Sequence, residues 1–309
     1  MEQLASFFAS AMRQAAPLLI AALGLVVSER AGLMNIGVEG IMLMGAFTGY
    51  AATKLSGSYW IGLLAAIIVG LIMITIFAVL TISFKATQVV VGAGMNILCA
   101  GLSSFIFRRL FYGTGIMDSG ITVDTFQAIP IPVLSEIPII GPMFFDQNII
   151  VYFGLLMIPV LIFVMNKTAV GLKIIAVGEH PKAADSLGIN VTLVRYAATL
   201  FSGAMMGIAG AYLSIAQSNA FAEGMTSGKG YIAMAVVILG KWKPNGVFFG
   251  ALLFGLANAT QMNIQNLGVE IPNNLVMMLP YIVTVLAVVA VSKTKVDAPG
   301  AQGIPYEKS

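Results

Sequence analysis

A carboxylate and an amide stand inside an apolar run, where both are costly to bury. The stretch ERAGLMNIGVEGIMLMGAF, residues 29–47, carries Asn35 and Glu39, with Gly32, Gly37, Gly40 and Gly45 around them. A carboxylate near the middle of a bilayer costs about 2.5–3.5 kcal/mol on insertion scales, so it must face protein or a water-filled path. Glycines let a helix break or a neighbouring backbone approach closely, and broken helices within membranes line cavities. Two readings stand. Either this span borders a translocation pathway, or Asn35 and Glu39 tie helices together by hydrogen bonds.

A second stretch is KTAVGLKIIAVGEHPKAADSLGINVTLVR, residues 167–195. Gly178 is expected to stop the preceding segment, and Pro181 suits the first turn of a short helix. That helix, PKAADSLG, ends at Gly188 as at a C-cap. A short helix on a loop between spans can press into a groove on a soluble partner and pass its motion to the spans; an ordinary solvated connection fits the same pattern. A third stretch, residues 233–266, holds Gly240 and the tight turn Lys241-Trp242-Lys243-Pro244-Asn245-Gly246, with Trp242 suited to a membrane interface. Asn258, Gln261 and Gln265 follow at i, i+3 and i+7, on one helix face. They line the outer half of a pathway or bond helix to helix, and Asn96, on an earlier apolar segment, has the same two readings.

The elements that position these groups are membrane spans. The 309 residues are 59% apolar and 9% charged, against roughly a quarter charged in soluble domains. Nine apolar segments fall at about 14–28, 33–52, 59–80, 89–107, 148–165, 196–216, 230–240, 246–264 and 274–292. Most are long enough to cross a hydrocarbon core of about 30 Å as helices. The expected fold is all-α: a transmembrane bundle of about nine spans, eight to ten, with a broken or glycine-rich second span and a short cytoplasmic helix. Residues 4–12 read as a short interfacial helix ahead of Arg13. No segment reads as a soluble domain, so residues 1–309 are expected to form a single transmembrane domain.

Charge sets the expected orientation. The gap 112–147 holds Asp118, Asp124, Glu136 and Asp146 and no lysine or arginine, and reads as an extracytoplasmic loop. The loop 166–195 carries Lys167, Lys173, Lys182 and Arg195 and reads as cytoplasmic. Alternation from these two places the tail 293–309 inside, with eleven basic residues inside and five outside. Arg108 and Arg109 are expected to snorkel to the outer headgroups. Gly203, Gly207, Gly210 and Ala211, three or four apart or adjacent, read as close helix packing.

Several chemistries are excluded. A net charge of +3, spread along the chain, leaves no nucleic-acid footprint. No GxxxxGKS loop occurs, so the chain does not itself hydrolyse ATP. Cys99 has no cysteine to pair with, and His180 has no ligand at metal spacing. No paired carboxylates or nucleophile stand out, so no catalytic residues are assigned.

The run AVGEHPKAADSLGINV resembles the signature of the ribose and branched-chain amino-acid permease superfamily of ABC importers. The run AGLMNIGVEGIMLMGAF resembles one branch, the permeases of nucleoside-type importers that work with basic-membrane-protein-type binding lipoproteins. Ribose-type permeases typically show glycine and then Asp-Leu-Ser where this chain has Asn35-Ile36-Gly37-Val38-Glu39-Gly40. Branched-chain amino-acid permeases carry an Asn-Phe-Ala-His-Gly run, and this chain has no histidine there. The resemblance covers roughly residues 15–292. It implies a multi-pass permease of the bacterial cell membrane, forming the nucleoside pathway with a second, homologous permease. Asn35, Glu39, Asn96, Asn258 and Gln261 are the pathway candidates. Gly178, Glu179, His180, Pro181, Ala184, Asp185 and Gly188 would form the coupling helix seated on a cytoplasmic ATPase, single or fused double. A binding lipoprotein would deliver solute outside, lipid would surround the spans, and ATP would be used by the ATPase, with no cofactor or metal on this chain. The alternatives are an ABC permease for sugars or branched-chain amino acids, a secondary transporter with Glu39 carrying a proton, and a membrane-embedded enzyme.

Overall fold

Helix α1 (Glu2–Arg30) is unbroken in the computed structural model, which describes residues 2–111, 122–266, 278–292 and 298–307. The interfacial helix expected over residues 4–12 is the start of this longer one. No glycine or proline precedes Pro17, and the straight-chain Arg13 suits a helix interior. The chain leaves helical geometry at residues 31–37, where Gly32 takes φ +89°, and resumes in α2 (Val38–Ser56). The break expected in the second span therefore lies ahead of it, and α2 is continuous.

Helix α3 (Tyr59–Ala78) runs into a π-helical turn, Val79–Ser83, and α4 (Gln88–Phe111) follows. Strand β1 (Ala128–Pro130) pairs antiparallel with β2 (Asp146–Asn148), Ala128 opposite Asn148, and α5 (Ile140–Phe144) lies between them. Of the loop expected over 112–147, residues 122–147 are described; Asp118 lies outside the described residues, as do Lys293, Lys295 and Lys308. Next come α6 (Ile149–Lys167), α7 (Ala169–Glu179), α8 (Pro181–Ser186) and α9 (Val191–Tyr212), which continues through a π-helical turn, Leu213–Gln217. Asn148, Thr168 and Asn190 cap α6, α7 and α9 by accepting from Val151 N, Gly171 N and Leu193 N. Helices α10 (Lys229–Leu239), α11 (Pro244–Asn266) and α12 (Leu279–Ser292) complete the order.

Each of the nine apolar segments overlaps a helix, the second only from Val38 on, and residues 274–277 of the last lie outside the described residues. Six helices among the described residues are long and apolar enough to cross a membrane: α1, α3, α4, α6, α9 and α11. Length and composition thus support six of the roughly nine expected spans. Helix α2 carries Glu39 and Lys54, and α10 has only 11 residues.

Helices α1 and α9 lie at the centre, with 83% of the most apolar stretch of each buried. Helices α2 and α3 pack on α9, α4 packs on α2, and α6, α10 and α11 pack on α1. Lipid tails are as apolar as leucine, so close backbone approach does the work that hydrophobic burial does in water. A Cβ on Gly45 would stand 2.9 Å from Gly207 Cα, and one on Gly207 would collide with the Ala66 carbonyl. Gly207→Val should therefore lower the folded subunit in the membrane several-fold, since overpacking costs about 1–3 kcal/mol. Gly94→Val should not, because a Cβ on Gly94 meets nothing within 4 Å. Membrane abundance of the two variants, measured side by side, tests this.

Candidate functional site

Helix α10 is too short to span. Its 11 residues reach about 16 Å, roughly half the hydrocarbon thickness. The stretch before it, 218–228, is irregular, and Asn219, Gly224, Ser227 and Gly228 all take positive φ. Backbone of this kind needs partners for its polar groups wherever water is excluded. Glu39, in the first turn of α2, supplies them: Oε1 accepts from Gly228 N at 2.8 Å and Oε2 from Gly230 N at 2.7 Å. A helix N-terminus carries unpaired N–H groups and partial positive charge, so a carboxylate matches it on both counts. Gly230 is required for this approach, since a Cβ there would stand 2.6 Å from Glu39 Cα.

Two amides complete the cluster. Asn35 is fully buried; its Oδ1 accepts from Gly37 N at 2.9 Å and its Nδ2 reaches Met206 Sδ at 3.6 Å. Asn96 Oδ1 accepts from Gly40 N at 2.8 Å, while its Nδ2 donates to Ile36 O at 3.0 Å and to the Tyr231 hydroxyl at 2.8 Å. Asn35, Glu39 and Asn96 are thus brought together where the first turns of α2 and α10 meet. Asn258 and Gln261 are not among them: both are half-buried on α11, which packs chiefly along α1.

Sequence reasoning missed four members of this site. Gln88 Oε1 accepts from Met34 N at 2.7 Å and steadies the linker between α1 and α2. Gly228 and Gly230 act through backbone N–H groups, which leave no side-chain signal. Tyr231 is hydrogen-bonded yet 47% exposed.

Beyond the other end of α10 lies the loop that carries α7 and α8. Pro181 starts α8, and Gly188, at φ +81°, follows its end. Ala184 is buried against Val177 and Val191, Asp185 is half-buried, and His180, Lys182, Ala183 and Ser186 are exposed. Leu187 is 82% exposed. Gly178 does not stop α7, which continues to Glu179; its missing Cβ makes room for the Arg30 carbonyl. Glu179 Oε1 lies 3.7 Å from Arg30 Nη1. Trp242 is buried, and its Nε1 donates to Glu29 Oε2 at 2.6 Å. Arg108 donates from Nε and Nη2 to the Glu223 carboxylate at 2.8 and 2.9 Å. Those hydrogen bonds hold the Glu223 carboxyl below its usual range.

Residues 7–288 match the family described as the permease component of the branched-chain amino acid transport system. The guanosine ABC transporter permease protein NupQ of Bacillus subtilis is 39% identical over 305 residues, covering 95% of this chain and 94% of NupQ. A candidate glucose ABC transporter permease protein of Haloferax volcanii is 39% identical over 265 residues, covering 85% of this chain and 79% of its own. A candidate metal-chelate type ABC transporter, solved in an inward-facing conformation, shares the fold with a TM-score of 0.52 at 16% identity, over 92% of this chain and 85% of the other.

Proposed function

The chain belongs to the permease-component family of the branched-chain amino acid transport system, and on that premise we propose that it is the membrane-spanning permease of an ABC importer for nucleosides. The likeness to a guanosine permease over nearly the whole of both chains supports the class and the cargo. The observation that carries the mechanism is α8, a short helix with one face buried in its own chain and the other, through Lys182, Ala183 and Ser186, open and continued by the exposed Leu187 just past its end. An ATPase subunit docks on that open face from the cytoplasm, where the C-terminal tail also lies. A second, homologous permease completes the pathway, and a binding lipoprotein delivers solute to the extracytoplasmic side.

The α2–α10 junction borders this pathway. Tyr231 offers an open aromatic face and, since its hydroxyl accepts from Asn96, a hydroxyl proton left to donate, suited to stacking on and hydrogen-bonding an uncharged heterocycle. Glu39 contributes by holding the half-helix, because both its oxygens already accept backbone N–H groups. Glucose is the second reading, favoured by the Haloferax relative.

Reconstituted with its partner permease, ATPase and binding lipoprotein, the complex should accumulate labelled guanosine only with ATP. Glucose, ribose and leucine should not accumulate. Glucose uptake of equal efficiency would transfer the chain to the second reading, and leucine uptake to the amino-acid branch. Uptake that follows a pH gradient without ATP would make Glu39 a proton carrier instead.

A further inference from the structure

Helix α10 is gripped at both ends by residues ten apart in one motif. Glu39 holds its N-terminus, as described above. At the opposite end, Lys241 and Trp242 both take positive φ, +53° and +52°. Such geometry costs non-glycine residues energy and persists where neighbours enforce it. Here the neighbours are the last two residues of α1. Glu29 accepts from the Trp242 indole at 2.6 Å, and Arg30 Nε donates to the Trp242 carbonyl at 3.1 Å.

The same two residues reach two other parts of the chain. Arg30 pairs with Glu179 at the end of α7, just before α8. Glu29 Oε2 also accepts from Gln302 Nε2 at 2.9 Å. Gln302 belongs to the segment 298–307, which lies across this corner. Ala301 N donates to Gly178 O at 2.8 Å, Gly303 N to Gly32 O at 3.1 Å, and Gly300 N to Glu179 Oε2 at 3.1 Å. Arg195 Nη1, near the start of α9, donates to Ile304 O at 3.1 Å. One buried carboxylate, 3% exposed, therefore joins α1, the turn after α10 and the C-terminal segment, and that segment is bonded to the coupling loop.

We propose that Glu29 is a positioning residue for energy coupling: with Trp242 and Gln302 it locks the coupling loop to the half-helix α10, so that displacement of α8 moves the pathway. The proposal rests on the ABC permease reading and adds residues that touch neither solute nor ATPase. Without the node, α8 can still be pressed by the ATPase, but its motion is no longer delivered to α10. The signature is ATP hydrolysed without transport.

The test uses the full complex in proteoliposomes and reads guanosine transported per ATP hydrolysed, alongside subunit abundance. Glu29→Ala and Trp242→Phe should each lower that ratio about tenfold, the scale of losing a hydrogen bond to a charged group. Gln302→Ala, in the half-buried C-terminal segment, should lower it about threefold at normal abundance, so a folding defect cannot account for it. Glu29→Gln should restore most of the ratio, because one amide oxygen can accept from both donors. A ratio unchanged in Gln302→Ala and Trp242→Phe, with only abundance altered in Glu29→Ala, would overturn the proposal. So would Glu29→Gln behaving like Glu29→Ala. A wild-type complex that takes up no guanosine with ATP would instead fail the cargo reading, and the same ratio would then be read with glucose.

Discussion

With Leu187→Asp, the subunit is expected to reach the membrane at its normal level while solute-stimulated ATP hydrolysis falls about 100-fold, the scale of losing an interface hot spot. Leu187 is 82% exposed beside the end of α8, so its replacement removes nothing that its own chain uses. A large apolar side chain left this open at a polar loop is instead material for a partner's pocket. Ala184→Glu would be a poor test of the same contact. Ala184 packs inward on Val177 and Val191, and a carboxylate there would be buried without a partner, which damages the loop itself. The two variants should therefore differ in kind: Leu187→Asp keeps abundance and loses stimulation, while Ala184→Glu loses both. Assaying ATPase activity and membrane abundance of each checks this. Full stimulation by Leu187→Asp would mean that α8 does not meet the ATPase.

The sequence makes some of this legible, for physical reasons. Apolar runs show where helices lie, since a span must be apolar over its length and bonded within itself. Glu39 and Asn96 stand out because polar groups are expensive in such runs. Their partners do not stand out. Glu39 binds N–H groups 189 and 191 positions away, and a backbone donor looks the same at every residue. Gly178 illustrates a second limit. A glycine near a helix end reads equally as a stop or as room for a neighbour, and only the position of the Arg30 carbonyl decides. Glu29 does not stand out because, beside Arg30 at a span's end, it looks like ordinary flanking charge. Its burial comes from Trp242 and Gln302, contributed by chain 213 and 273 positions away. Asn258, Gln261 and Gln265 show the converse: correct helical spacing places them on one face, but spacing does not say what that face meets.

Glu39 should tolerate neither alanine nor glutamine, in that order of severity. Alanine leaves the N–H groups of Gly228 and Gly230 without acceptors, at about 1–3 kcal/mol each where water is excluded. It also removes the charge that offsets the α10 N-terminus, worth up to about 2 kcal/mol. Together these losses should abolish uptake and lower the folded amount. Glutamine keeps the shape but not the function of both oxygens: one end can accept a backbone N–H, and the other, an NH2, turns a donor toward a donor. Uptake by Glu39→Gln should therefore fall about tenfold while abundance stays near normal, the loss of one charged hydrogen bond being about 1.5–3 kcal/mol. Because Tyr231 and Asn96 stay in place, the ratio of guanosine to glucose uptake should hold in Glu39→Gln. A changed ratio would mean that the carboxylate meets the solute directly. Wild-type uptake by Glu39→Gln would mean that α10 is held in some other way, and the two-oxygen grip would then have no part in transport.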